Sequence, residues 1–312
     1  MTKGERFIFV GGAPRSGTTL LQNILDSHPE IICGPQFRNI PDIIDLRKKL
    51  YNAIDTRHTY VFNSYEDIDN HVRTFIENLL MSLLERSKCK LLSEKTPENI
   101  VVFPELIELF PDAHFIYIIR DPRAVVLSFK AGNEKFRRKG MNYRYSSGSL
   151  SDFVGLTNYV KEFFVAGISS AKNAPNKILT VVYDKLVTDP ESETKRICNY
   201  LGIEWSKEML FPSKKKHLGE KQQTRDNGWY TLDNYYRDPD PVDINKWRKQ
   251  ITFLQKVLVS FYFRDIKELS DYGYDLSADS FAHKIVIKIF LYFKQLYSSI
   301  GVVRKFVKPI LK

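Results

Sequence analysis

Apolar residues arrive in short continuous runs, and between the runs they recur at helical spacing. Residues 7–10 form such a run and end in Gly11-Gly12, the pattern of a strand covered on both faces of a parallel sheet. Leu20, Leu21, Ile24 and Leu25 then predict a helix over 18–27, stopped by His28-Pro29. The alternation continues. Strands are predicted at 31–33, 90–92, 115–119 and 178–183, and helices over 41–50, 68–86, 99–110, 121–130, 151–171 and 189–201. Repeated strand–helix units predict an α/β fold, with helices flanking a central parallel sheet. Residues 133–149 lack periodicity and read as a mobile basic loop. Residues 206–243 are polar and irregular, and an amphipathic helix is predicted over about 244–269. These segments imply one domain over 1–275 and a tail over 276–312.

Composition narrows the class. With 312 residues, 43% hydrophobic and 27% charged, the chain has enough apolar mass for a core and excludes disordered, collagenous and disulfide-dense classes. A net charge of +10 favours a polyanionic ligand, nucleic acid or an anionic membrane surface. Cys33, Cys89 and Cys198 are scattered, so neither a disulfide framework nor a zinc site is expected, and a reducing compartment fits. The first residues carry neither a signal-peptide core nor an apolar span of ~20 residues, so a cytoplasmic location is expected. From Ser280 onward there are seven basic residues and no acidic ones. Phe281, Ile285, Ile289, Tyr292, Phe293 and Leu296 add an apolar stripe, so peripheral contact with the inner membrane face is an expectation for the tail.

The most specific chemistry lies in Gly12-Ala13-Pro14-Arg15-Ser16-Gly17-Thr18-Thr19, between a predicted strand and a predicted helix. There backbone N–H groups and the helix dipole receive an anion. The G-x4-G frame is that of a P-loop, so a P-loop-like three-layer fold is expected. Thr18 stands where an NTPase carries lysine, however, and the loop's cation is Arg15. Arg15 offers a fork of donors to phosphate or sulfate, with the hydroxyls of Ser16, Thr18 and Thr19 around it. A second basic element is Arg120, leaving a strongly apolar strand where ligands of open α/β sheets bind, with Ser128 two helical turns on; a second phosphate fits there.

These motifs resemble the sulfotransferases that use 3′-phosphoadenosine 5′-phosphosulfate (PAPS), in particular the tyrosylprotein sulfotransferase-like branch. The resemblance makes residues 14–19 a 5′-phosphosulfate loop and residues 118–129 a 3′-phosphate element. It also implies that Lys95, in Ser93-Glu94-Lys95-Thr96-Pro97, contacts the sulfuryl group and that Tyr183 lies beside the nucleotide. More loosely, it makes Lys246, in Asn245-Lys246-Trp247, part of a nucleotide clamp, with Thr231 upstream as a further contact. The implied reaction transfers a sulfuryl group from PAPS to a hydroxyl of a glycan, glycolipid or peptide tyrosine. It leaves adenosine 3′,5′-bisphosphate (PAP) and uses no metal. No nucleic-acid partner is implied, and oligomeric state stays open.

In that family a glutamate after a Cys-Gly pair is the base, and Cys33-Gly34-Pro35-Gln36 places Gln36 there. Gln36 accepts no proton. An introduced Glu-to-Gln change, a chain with another base, and an enzyme of weak turnover are the competing readings. Glu94, Glu98, His58 and Asp42 are the substitutes. Arg38 is a candidate for orienting an acidic or glycan acceptor, and Trp229, Tyr230, Tyr235 and Tyr236 for stacking on one. A nucleotide-binding module that has lost catalysis and a P-loop kinase are the alternatives to an active sulfotransferase.

Overall fold

The computed structural model describes residues 4–56, 61–140, 149–218 and 236–276. By contacts the chain divides into two compact units, Met1–Trp247 and Arg248–Lys312.

The first unit holds, among the described residues, a five-stranded parallel sheet in the order β2-β3-β1-β4-β5. The strands are β1 (Phe7–Gly12), β2 (Ile31–Cys33), β3 (Leu91–Lys95), β4 (His114–Ile119) and β5 (Ile178–Val182). β1 sits centrally, registered Val10 to Lys95 on β3 and Val10 to Ile116 on β4. Its side chains are buried on both faces, as its unbroken apolar run requires. On one face Ile8, Val10, Ile116, Ile118 and Val181 pack with Leu21, Ile24 and Leu25 of α1 (Thr18–Asp26). Leu186 of α7 (Tyr183–Thr188) and Ile197 and Leu201 of α8 (Pro190–Leu201) complete that layer. The alternate residues Phe9 and Phe115 stack at 5.5 Å on the opposite face, beside Phe103 and Phe110. Tyr117 of this face lies against Gly167 of α6 (Leu150–Asn173), where a Cβ would come within 2.4 Å of the ring. The result is the three-layer sandwich that the alternation of elements predicts.

Helices α2 (Ile40–Asp55), α3 (Tyr65–Glu85) and α4 (Phe103–Leu109) are joined by Arg47, which reaches Asp69 at 2.7 Å and Glu108 at 3.0 Å. Several boundaries differ from expectation, among them Tyr183, expected in the last strand but opening α7. The segment expected as one helix over 99–110 begins as a 3-10 turn, Pro97–Val102, before α4. The helix after β4, α5, runs Pro122–Arg138 and absorbs the first part of the expected basic loop. Phe129 and Phe136 are buried on it, and Lys135, Arg137 and Arg138 suit the carbonyl end of its dipole. Residues 141–148 of that loop lie outside the described residues.

The second unit contains α9 (Phe253–Phe263), opened by a Thr252/Gln255 capping box, and a 3-10 turn at Lys267–Tyr272 ended by Gly273 at φ +86°. The helix expected over 244–269 is thus shorter, because Thr252 starts a new helix. The expected tail lies, apart from Leu276, outside the described residues, as do His58, Trp229, Tyr230, Thr231 and Tyr235. Among the described residues, no helix is long and apolar enough to cross a membrane.

Candidate active site

Every strand delivers a candidate residue at its carboxyl end. In sheet order the edge carries Gln36 after β2, Lys95 at the end of β3, the Arg15 loop after β1, Arg120 after β4 and Tyr183 after β5. With strands ~4.8 Å apart, this edge spans roughly 19 Å, long enough for an extended nucleotide.

The loop is built to leave donors open. Ser16 N–H donates to Ala13 O at 3.0 Å, and Arg15 sits at φ +77°, in the left-handed region where a non-glycine residue is strained. Gly17 caps α1 at φ +101° with no side-chain capping bond, so the first-turn N–H groups meet no side-chain cap. A Cβ at Gly17 would lie 2.3 Å from Tyr183 Cδ2, so only glycine admits that ring. Ser16 Oγ is buried without a hydrogen-bond partner. An orphaned hydroxyl beneath an uncapped helix start fits an anionic group carrying acceptor oxygens.

Arg15 Nε donates to Ser128 Oγ at 3.1 Å, which joins the loop to α5. The two arginines of Arg120-Asp121-Pro122-Arg123 have separate tasks. Asp121 caps α5 through Arg123 N–H (2.8 Å), and its carboxylate takes the Arg123 guanidinium at 2.8–3.3 Å. Arg123 also lies 4.5 Å over buried Trp247. Arg120 lies 4.0 Å over the Tyr183 ring, the ring that packs on Gly17. Lys246 is exposed next to Trp247.

At the other end of the edge Lys95 is 3% exposed, and its Nζ donates to Gln36 Oε1 at 3.3 Å. The neighbouring Glu94 is 4% exposed and accepts from Phe37 N–H at 3.2 Å, from the Thr96 hydroxyl at 2.7 Å and from Asn99 Nδ2. Burial pushes its carboxyl up to about 7, against those bonds and the Lys95 charge. Of the substitute bases, Glu94 is thereby enclosed rather than presented. Asp42 is exposed in the first turn of α2 and accepts from Asn39 at 3.3 Å, and Glu98 is half-buried at the 3-10 turn. Arg38 and Tyr236 are exposed. The Glu94 contacts and the pairing of Arg123 with Trp247 escaped sequence reasoning. Glu94 falls inside the recognised Ser-Glu-Lys-Thr-Pro segment, so its position, though not its partners, was in view. Among the described residues, no three His, Cys, Asp or Glu side chains are grouped to hold a metal ion.

The chain matches the profile of the Sulfotransferase family over residues 7–207. It is 33% identical over 209 residues to a putative protein-tyrosine sulfotransferase of Caenorhabditis briggsae, covering 66% of this chain and 69% of that one. It is 32% identical over 210 residues to protein-tyrosine sulfotransferase A of Caenorhabditis elegans, covering 65% of this chain and 52% of the relative. The chain therefore spans only about half the length of the second relative. Among solved structures, the sulfotransferase domain of the curacin biosynthetic pathway superposes with a TM-score of 0.59 at 16% identity, covering 89% of this chain and 100% of that one. The sulfotransferase domain of the Synechococcus PCC 7002 olefin synthase gives 0.56 at 20% identity, covering 85% and 96%. At these identities the structures report the fold.

Proposed function

The chain belongs to the sulfotransferase family, and we propose that it transfers the sulfuryl group of PAPS to a hydroxyl, with peptide tyrosine the acceptor favoured by the names of its relatives. The observation that carries this reading is the ordered edge from Lys95 through the Arg15 loop to Arg120 and Tyr183. The donor supplies a sulfuryl group on a phosphate leaving group. The S–O bond to phosphate breaks, a new S–O bond forms to the acceptor oxygen, and the acceptor proton passes to solvent water. Arg15, with Ser16, Gly17, Thr18 and Thr19, holds the 5′ end, and Arg120 with Tyr183 holds the 3′-phosphate end. Lys95 carries positive charge to the side of the loop away from Arg120, where charge develops on the transferring oxygens. Because a sulfuryl group bears less charge than a phosphoryl group, these cations replace the magnesium a kinase needs.

Calorimetry against PAP and ATP tests the reading. PAP binding at least tenfold tighter than ATP, without magnesium, is expected; tighter, magnesium-dependent ATP binding overturns it in favour of a kinase. Gln36 supports a second reading, a PAPS- and PAP-binding chain with impaired catalysis, in which PAP binds tightly and labelled donor is not consumed with any tyrosine or sugar acceptor. The basic residues after Ser280 support placing the chain at an anionic inner membrane surface. Flotation of the full chain with anionic but not neutral vesicles checks that placement.

A further inference from the structure

Three consecutive residues at the end of β3 grip two consecutive residues after β2. Lys95 Nζ donates to the Gln36 side chain, and its neighbours on either side hold the main chain of the next residue. Glu94 Oε1 accepts from Phe37 N–H at 3.2 Å, and Thr96 Oγ1 lies 2.9 Å from Phe37 O. Thr96 Oγ1 also lies 2.7 Å from Glu94 Oε1, and Asn99 Nδ2 donates to Glu94 Oε2. Phe37 is thus bracketed at both its amide and its carbonyl.

We propose that Glu94 is a positioning residue: with Thr96 it clamps the Phe37 main chain and so keeps Gln36 on Lys95, at the acceptor end of the transfer site. The proposal rests on the sulfotransferase reading for its role in turnover, whereas the clamp itself is a property of the chain alone.

The hydrogen inventory lets either form of Glu94 hold the Phe37 amide. Phe37 N–H and Asn99 Nδ2 only donate, and the Thr96 hydroxyl has one hydrogen to give. In the ionised carboxylate all three can donate to Glu94, and the Thr96 hydrogen is then not on Phe37 O. An acid protonated on Oε1 donates to Thr96 Oγ1 instead and frees the Thr96 hydrogen for Phe37 O. In the neutral acid one oxygen becomes a donor. If the proton sits on Oε2 it meets Asn99 Nδ2, and the Asn99 amide must turn to offer Oδ1, which is buried without a partner. The charged group acting on Glu94 is Lys95 on its own strand; Phe37 from the segment after β2 and Asn99 from the 3-10 turn face it as neutral groups. Burial pushes the carboxyl up to about 7, so both forms occur near neutrality, and in either form Oε1 faces Phe37 N–H.

Amide hydrogen exchange in the full chain reads the clamp without turnover. In Glu94→Ala the Phe37 amide is expected to exchange at least tenfold faster, while PAP affinity by calorimetry stays within twofold. Glu94→Gln keeps an acceptor for Phe37 and offers an amide to Asn99 Oδ1, so it is expected to recover most of that protection. Where PAPS is turned over, kcat should fall in Glu94→Ala and recover in Glu94→Gln, with KM for PAPS unchanged. Unaltered Phe37 exchange in Glu94→Ala overturns the proposal, as does a Glu94→Gln chain that recovers none of the protection. Should Glu94→Ala not fold, Phe37 protection in Glu94→Gln decides alone: retained protection supports the clamp and its loss overturns it. Loss of PAP binding by the unsubstituted chain would instead overturn the functional reading and leave the exchange result standing.

Discussion

Arg15 and Ser128, 113 positions apart in the chain, meet through an Nε-to-Oγ hydrogen bond of 3.1 Å. The bond ties the loop after β1 to α5, so a residue of the second anion element braces the cation of the first. Charge-assisted bonds of this kind contribute about 1.5–3 kcal/mol each. Arg15→Ala is therefore expected to weaken PAP binding roughly 10- to 100-fold, and Arg15→Lys to recover little, because a point charge replaces a planar fork. Ser128→Ala should cost about 3- to 10-fold in PAP affinity and under about 1 kcal/mol in stability. Titration calorimetry and urea unfolding of the three variants check this, and full affinity in Arg15→Ala removes the residue from the site.

Gln36 stands beside Lys95 but accepts no proton. General bases contribute roughly 10²–10⁴-fold, so Gln36→Glu is expected to raise turnover of labelled PAPS by at least 100-fold while PAP affinity changes less than threefold. The new carboxylate would lie within ion-pair reach of Lys95, which holds it ionised and able to take the acceptor proton at neutral pH. Equal turnover in the two chains would separate position 36 from proton transfer.

The parts of this site carried by local pattern were legible before the fold. A buried strand, a glycine turn and a helix announce the anion loop within about a dozen residues, and Arg120 announces itself by leaving the apolar run that becomes β4. Partners that depend on packing were not. The bond from Arg15 to Ser128 joins residues 113 positions apart, which no local spacing announces. The contacts between 94–96 and 36–37 depend on β2 and β3 being neighbours, and no periodicity encodes that adjacency. The length of α5 was hidden for a different reason: its last turns are rich in Lys and Arg, which read as loop until Phe129 and Phe136 are seen buried on one side.

Gly17 and Tyr183 form a close contact in which even one methyl group is excluded. Gly17→Ala places a Cβ at φ +101° and 2.3 Å from Tyr183 Cδ2, so the ring that supports Arg120 must move. Left-handed strain and overpacking together are expected to cost about 2–4 kcal/mol. PAP affinity should fall at least tenfold, through displaced Arg120 and a disturbed loop. Tyr183→Phe keeps the ring face and should stay within about threefold. Thermal unfolding with and without PAP measures both effects, and a Gly17→Ala chain of native stability would contradict the contact.

Glu94 also sets a pH dependence of stability whose sign follows from its direction of shift. Its carboxyl is raised in the folded chain to about 7, above the ordinary value near 4.5, so between those values the folded state holds more protons than the unfolded one. Stability from this group is present below about pH 4.5 and is lost as pH rises through 7, by an amount on the order of a few kcal/mol. Glu94→Gln removes that loss, so its urea midpoint should exceed that of the unsubstituted chain at pH 8 by more than at pH 5. A gap of the opposite sign would mean that the carboxylate is better solvated in the fold than its surroundings indicate. The amide of Glu94→Gln keeps an acceptor for Phe37 N–H, so this variant is expected to gain stability at pH 8 without losing the hold on the segment after β2.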